Sequence, residues 1–169
     1  MKTVLVPIGA LRNTEFAIRR VVNEYMSNPA MEVHLLNVQV PLSRHIAQFV
    51  RQRLRDDFHR EQAEIALAPA RALLERHNVP YSTHIRTGDR ALIIAEEAKR
   101  LRCDHIVMST ARKNSFTRML EDSTTNRVLE LTTVPVELIA GDEISKLERF
   151  GIPAGIGTAL ALLVAAAMD

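Results

Sequence analysis

The sequence predicts an α/β protein with an open five-stranded parallel sheet, helices on both faces of the sheet, and an apolar C-terminal tail helix. Short runs of β-branched and apolar residues alternate with longer charged amphipathic stretches, which is typical of consecutive βα units. Right-handed crossovers leave few topologies for this order, and they favour a sheet with the first strand at its centre. The 169 residues suit one domain, residues 1–142, followed by an extension, residues 143–169.

The strands are predicted from five apolar runs, of which the first, fourth and fifth have little polar interruption, as central parallel strands should. These runs are residues 3–8, 32–39, 81–86, 105–109 and 136–139. The helices are predicted between them, at residues 13–27, 43–77, 90–101 and 123–131. Asn13 is a suitable N-cap for the first helix. Pro69 is expected to kink or break the long second helix.

Charge and cysteine content exclude several classes of protein. The net charge is only +2, and basic residues alternate with acidic ones, so we expect no binding of nucleic acid. Cys103 is the only cysteine, which excludes an intramolecular disulfide and favours a reducing compartment. Nearby Lys99, Arg100 and Arg102 favour a reactive thiolate, but we prefer to interpret Cys103 as structural. The first apolar run is too short for a signal peptide, so a cytoplasmic location is expected.

The segment after the fourth strand carries the most specific pattern. It resembles the nucleotide-binding motif of the universal stress protein family, in which Gly-x-x-Gly, nine residues, and Gly-Ser or Gly-Thr follow one another. Ser109, Arg112 and Asp122 stand at the three glycine positions, and Ser123 keeps the closing hydroxyl. Further similarities are the first strand at 4–8, the turn at 87–89, and the closing helix and strand at 127–136.

The resemblance extends over about residues 1–140 and implies a Rossmann-like α/β sandwich in a protein of a kind that commonly forms homodimers. In members of the family that bind ATP, an aspartate follows the first strand, but the matching residue here is Gly9. Asp122 precedes Ser123, where it would cap the helix and occupy its free N–H groups. Its charge would repel a phosphate by roughly 1–4 kcal/mol. No cofactor is therefore predicted, and ATP or another adenine nucleotide is disfavoured.

Two interpretations of this loop stay open. Ser109, Arg112, Lys113, Ser123 and Thr124 are the candidate residues for nucleotide or anion binding, because cationic side chains can replace a backbone cradle. The simpler interpretation is an exposed basic loop. No strained Gly-x-Ser-x-Gly elbow occurs, so no catalytic residues are predicted and we expect no enzyme. The six histidines lack the spacing of metal ligands, so they are interpreted as surface residues and no metal is predicted.

The tail changes composition abruptly, since residues 151–168 contain no charged side chain. A helix that is apolar on all faces is buried in protein or in lipid, and this one is near the lower length limit for crossing a bilayer. It is expected to pack on the body or a partner subunit, or alternatively to associate with the inner membrane.

Three functions follow as hypotheses. The leading one is a non-catalytic, homodimeric adaptor in a bacterial stress response, which acts on an unknown protein partner without binding ATP tightly. The second is a nucleotide or anion sensor that uses the remodelled loop. The third is a regulator of stress or transport that the C-terminal tail tethers to the membrane.

Overall fold

The computed structural model describes residues 1–9, 14–42, 51–112 and 123–143. Strands and helices alternate along these residues, as the sequence predicts. The strands are β1 (Lys2–Ile8), β2 (Met31–Gln39), β3 (Tyr81–Thr87), β4 (His105–Arg112) and β5 (Val136–Glu143). The helices are α1 (Thr14–Ser27), α2 (Gln52–Arg76), α3 (Arg90–Arg100) and α4 (Ser123–Leu131).

The strands form one five-stranded sheet in the order β3-β2-β1-β4-β5, and all of its strand pairs are parallel. The prediction of an open parallel sheet with the first strand at its centre is confirmed. Because the strands are parallel, their amino ends meet at one edge of the sheet and their carboxyl ends at the other. Lys2, His105 and Val136 mark the amino edge, and Ile8 and Thr87 lie towards the carboxyl edge.

Apolar side chains cover both faces of the sheet. On one face, Val4, Val6 and Ile8 of β1 belong to a buried cluster that also contains residues of α1 and α2. On the other face, Leu5 of β1 belongs to a second cluster with residues of α3 and with Val128 of α4. The alternation along β1 follows from the two-residue period of a strand, so this central strand is buried on both sides.

The turn before α3 depends on one glycine. Gly88 has a φ of +154°, and a Cβ at this position would lie 3.1 Å from Cγ1 of Ile93. The next residue, Asp89, is the N-cap of α3, and its Oδ1 accepts a hydrogen bond from the backbone N–H of Leu92 at 3.0 Å. The Gly-Asp pair therefore combines a conformation that other residues rarely adopt with a capping carboxylate.

Two details differ from the sequence prediction. Of the two effects predicted for Pro69, a kink or a break, the structure contradicts the break, because α2 continues from Gln52 to Arg76 with Pro69 inside it. Leu67, Ala70 and Leu74 are buried on both sides of the proline, and this packing outweighs the local preference of proline. The other difference is at β4 and β5, which extend three and four residues further than the predicted ends at 109 and 139.

Several predictions concern residues outside the described ranges. Asn13, Lys113, Asp122 and most of the extension, residues 144–169, are among them. The domain boundary at 142 and the behaviour of residues 151–168 therefore stay predictions. Within the ranges given above, no helix has both the length and the apolar character needed to cross a membrane.

Candidate functional site

The order of the strands places a crevice at the carboxyl edge of the sheet. From the central strand β1 the chain continues to β2 on one side, whereas β4 lies on the other side of β1. The connections that follow β1 and β4 therefore lead in opposite directions along the sheet. Ligands of open α/β sheets bind at this kind of switch point, outside the carboxyl ends of the strands. Gly9 follows β1 at this edge, and Ser109 lies towards the end of β4.

Gly9 leaves open space beside β1. A Cβ built on Gly9 would meet no heavy atom of the described residues within 4 Å, and the φ of Gly9 lies outside the positive range that favours glycine. Neither crowding nor backbone conformation therefore requires glycine here. An aspartate could occupy this position without strain, so the change that matters at Gly9 is the absence of a carboxylate.

Two amides that the sequence analysis missed hold this edge together. Asn37 of β2 is buried, and its Nδ2 donates a hydrogen bond of 2.8 Å to the backbone oxygen of Ile8. Nε2 of Gln39 donates to Oδ1 of Asn37 at 2.7 Å, and the backbone oxygen of Gln39 accepts a hydrogen bond from Gly88. This chain of bonds fixes the end of β1 against β2 and β3. Two amide side chains near the end of a predicted strand were the signal that could have identified it.

The segment that resembles the start of the phosphate-binding turn is part of a strand. Ser109 to Arg112 belong to β4, with Ser109 paired with Ile139 and Arg112 paired with Glu143. A register shift occurs between Thr110 and Arg112. The prediction that the strand ends at Ser109 is therefore wrong. The strand continues because β5 is also longer than predicted, so its backbone groups provide hydrogen-bond partners for β4 beyond Ser109.

The predicted binding residues lie on both sides of the β4–α4 connection. Ser109 is half-buried in β4, and Arg112 lies at the end of that strand. Ser123 is the first residue of α4, and Thr124 follows it half-buried. Lys113 lies outside the described residues. Since β4 ends and α4 begins at the carboxyl edge, the fold brings four of the five candidates to the same edge as Gly9.

An ion pair connects the N-cap of α3 to the middle of α4. Nη1 of Arg127 donates to Oδ2 of Asp89 at 2.7 Å. The hydrogen bond from the Leu92 N–H and the bond from Arg127 lower the pKa of Asp89, so its carboxylate stays charged. The side chain of Arg127 is therefore engaged with the α3 cap.

A groove of about 600 Å³ opens beside Gly9, between α1 and α2. Thr14 and Ile18 line one wall, and Ile65, Pro69 and Leu73 line the other. The volume lies within the range of small-molecule pockets, and most of the lining is apolar. Sequence reasoning could not find this groove, because its shape depends on how two helices pack.

The structure corrects the interpretation of the histidines. His34, His59 and His105 are buried, with exposures of 5%, 8% and 7%, so they are not surface residues. His84 is half-buried and His77 is exposed, whereas His45 lies outside the described ranges. Cys103 is buried too, and burial raises the pKa of its thiol to about 11, which supports the structural interpretation.

The fold and the crevice define a Rossmann-like α/β protein with a site at the carboxyl edge of its sheet. The model of the universal stress protein family matches residues 1–139, and the chain belongs to this family. No curated protein matches the chain.

Solved structures of the family share the fold. A universal stress protein from Lactobacillus plantarum is 22% identical with a TM-score of 0.66, and the match covers 82% of this chain and 97% of that one. A family protein from Arabidopsis thaliana, solved with AMP bound, is 20% identical with a TM-score of 0.60 and coverages of 84% and 93%. The universal stress protein from Archaeoglobus fulgidus in complex with dAMP is 15% identical with a TM-score of 0.61 and coverages of 82% and 98%.

Proposed function

We propose that this protein is a non-catalytic universal stress protein that acts as a homodimeric adaptor in a bacterial stress response and does not bind ATP tightly. The observation that carries this proposal is the extension of β4 through Arg112, at the residues that match the start of the family's phosphate-binding motif. Backbone groups paired with β5 are not free to surround a triphosphate. The fold is kept, while the part that would hold the phosphates is changed.

Gly9 supports the same proposal at the nucleoside end of the crevice. ATP-binding relatives are expected to use a carboxylate there, and Gly9 supplies none. Because a Cβ at this position meets none of the residues that the structure describes within 4 Å, a single substitution can restore the missing group. This makes Gly9→Asp a direct probe of why the affinity for ATP is low.

Isothermal titration calorimetry of the full chain with ATP, ADP and AMP tests the proposal. We expect no saturation by ATP at micromolar concentrations, and tighter binding of all three nucleotides by Gly9→Asp. Gly9→Asn is the matched control, because it adds a side chain of the same size without the charge. Low-micromolar binding of ATP to the unchanged protein would overturn the proposal.

The homodimer is a separate element of the proposal and needs its own test. β5 is the outermost strand on one side of the sheet, and Leu138 in this strand is 42% exposed. An exposed edge strand is a site at which a second chain can pair. Native mass spectrometry should find dimers, and Leu138→Lys should shift them to monomers. Leu129→Lys, at a similarly exposed leucine of α4, should leave the dimer intact. Monomers in the unchanged protein would contradict this element.

A second candidate function is sensing of a mononucleotide or another anion. Two observations favour it: the relatives solved with AMP and with dAMP, and the groove beside Gly9. Arg112, Lys113, Ser123 and Thr124 would then hold the phosphate by side chains. Binding of AMP that is lost in Arg112→Ala, with ATP binding absent, would support this function. AMP binding unchanged in Arg112→Ala would exclude the role given to the loop.

A further inference from the structure

A second group of charged and titratable side chains lies at the opposite, amino edge of the sheet. His105 is the first residue of β4, Glu137 is the second residue of β5, and Glu24 lies in the last turn of α1. Nε2 of His105 lies 3.9 Å from Oε2 of Glu24 and 3.9 Å from Oε2 of Glu137. The topology therefore brings together three residues that are far apart in the sequence.

The imidazole at the centre of this group is buried without hydrogen-bond partners among the described residues. The side chain of His105 is 9% exposed, and neither of its ring nitrogens has a hydrogen-bond partner within the part of the chain that the structure describes. Oε2 of Glu24 is also buried, and it lies 3.0 Å from Nη1 of Arg20, as an ion pair. Buried polar atoms nearly always find partners, so an imidazole with two unsatisfied nitrogens between two carboxylates needs an explanation.

Two cations orient the carboxylates. Nζ of Lys2 contacts Oε1 of Glu24, and Nε of Arg20 donates to Oε1 of Glu137 at 2.7 Å. Nη1 of Arg20 also lies 3.0 Å from Oε2 of Glu24, as an ion pair. Oε2 of Glu137 thus faces His105 at 3.9 Å while its Oε1 is held by Arg20. Oε2 of Glu24 faces both Arg20 and His105, so a metal ion would share this oxygen with Arg20.

We propose that Glu24, His105 and Glu137 bind a divalent transition-metal ion, for which Zn²⁺ is the best match. One atom from each residue lies within 4.8 Å of the others. Around tetrahedral Zn²⁺, with ligands at about 2.0–2.2 Å, neighbouring ligand atoms are about 3.4 Å apart. The two distances of 3.9 Å therefore need to shorten by roughly half an ångström, and the two carboxylate oxygens, which lie within 4.8 Å of each other, need to approach to the same spacing.

The ligand set explains the choice of ion. An imidazole nitrogen with two carboxylate oxygens suits Zn²⁺ and its neighbours, whereas Mg²⁺ and Ca²⁺ prefer oxygen ligands alone. A water molecule would complete the coordination. Lys2 and Arg20 neutralise the two carboxylates, and their positive charges repel a metal cation. We therefore expect micromolar rather than nanomolar affinity for the ion.

A metal ion at this edge would link α1 to β4 and β5. Such an ion binds the folded chain and not the unfolded one, so it raises the stability by mass action. The group lies at the amino edge of the sheet, away from Gly9 and Ser109 at the carboxyl edge. Metal binding and nucleotide binding can therefore succeed or fail independently.

Titration of the chelator-treated full chain with Zn²⁺ tests the proposal, with Co²⁺ as a spectroscopic substitute. We expect one Zn²⁺ per chain, a higher melting temperature with Zn²⁺, and Co²⁺ absorption bands typical of tetrahedral coordination. Glu137→Gln and His105→Gln should each weaken binding about tenfold or more, since each removes a ligand. Glu137 is half-buried, so its variant is expected to fold even if His105→Gln does not.

Two controls separate this site from other histidines. His77→Gln removes an exposed imidazole, and His84→Gln removes a half-buried one outside the group. Both should bind Zn²⁺ as the unchanged protein does. Equal affinity in the unchanged protein and Glu137→Gln would overturn the proposal, and so would the absence of saturable binding at millimolar Zn²⁺.

Discussion

Nδ1 of His34 lies 3.1 Å from Nε2 of His84, so two imidazole rings on neighbouring strands share one hydrogen bond. Their ring centroids are 5.2 Å apart. One nitrogen must donate and the other accept. A charged imidazole has no acceptor nitrogen, so at least one of the two rings must be neutral. Burial lowers the pKa of both histidines, and their mutual repulsion lowers the pKa of His84 further.

Some of the charged groups around this pair raise the pKa of the histidines, and others lower it. Glu32 raises the pKa of His34, and Glu97 raises that of His84, whereas Arg100 lowers both and Arg86 lowers that of His84. Burial is the largest cause in each case, and the net direction is downward. The folded protein therefore keeps these rings neutral at a pH where the unfolded chain begins to protonate them.

We predict that acidification destabilises the fold through this pair. Because the folded pKa is depressed, the contribution is complete above about pH 6.5 and is lost as the pH falls below it towards the folded pKa. Each histidine can contribute a slope of up to about 1.4 kcal/mol per pH unit. Urea unfolding at several pH values measures the slope. His84→Gln should reduce it, and His77→Gln should not; equal slopes in all three proteins would contradict the prediction.

We predict that Glu97→Gln destabilises the protein by about 1–3 kcal/mol. Glu97 is 6% exposed and accepts hydrogen bonds from Nε of Arg86 at 2.9 Å and Nη2 of Arg100 at 2.6 Å. The glutamine side chain of the variant has one acceptor oxygen where glutamate has two, and it carries no charge. The matched control is Glu96→Gln at the exposed neighbouring residue, which should change the free energy of unfolding by less than about 0.5 kcal/mol. Similar losses in both variants would refute the role of Glu97.

We predict that Pro69→Ala stabilises the protein by about 1–3 kcal/mol, because proline inside a helix removes one backbone hydrogen bond and crowds the preceding turn. Pro69 is exposed, so the substitution removes no buried contact. Ala68→Ser, at the adjacent exposed residue, should change the stability by no more than about 0.5 kcal/mol. Urea unfolding measures both, and a destabilised Pro69→Ala protein would show that the proline shapes the helix or groove favourably.

We predict that Cys103 reacts slowly with iodoacetamide in the folded protein. Burial is the main reason that the pKa of its thiol rises from 9.0 to about 11, which lowers the thiolate fraction about a hundredfold at neutral pH. Mass spectrometry of timed samples gives the rate with and without urea. Rates that differ by less than about tenfold would indicate that the thiol is exposed by local opening.

Most of the fold is readable from local patterns. The alternation of apolar runs and amphipathic stretches depends on neighbouring residues, so the order of elements, the parallel sheet and the central β1 agree with the structure. The same reasoning predicted a strand end at Ser109. The structure differs because β5 extends far enough to pair with Arg112, which no pattern within the fourth strand indicates. Strand length depends on the partner strand as well as on the residues themselves.

The resemblance to the family's motif placed Gly9, Ser109 and Ser123 as candidate residues, and the structure brings all three to the carboxyl edge. The network of Asn37 and Gln39 was missed, because its bonds connect different strands and the turn before α3.

The sequence by itself was sufficient for the topology, which depends on residue type and periodicity, and its resemblance to universal stress proteins gave the family and the lack of a carboxylate after β1. Tertiary packing alone decided that His34 meets His84 and that Glu24, His105 and Glu137 face one another at the amino edge. The physical reason is that burial and contact between distant side chains depend on strand register and helix packing. Neither of these is encoded in the spacing of any single segment.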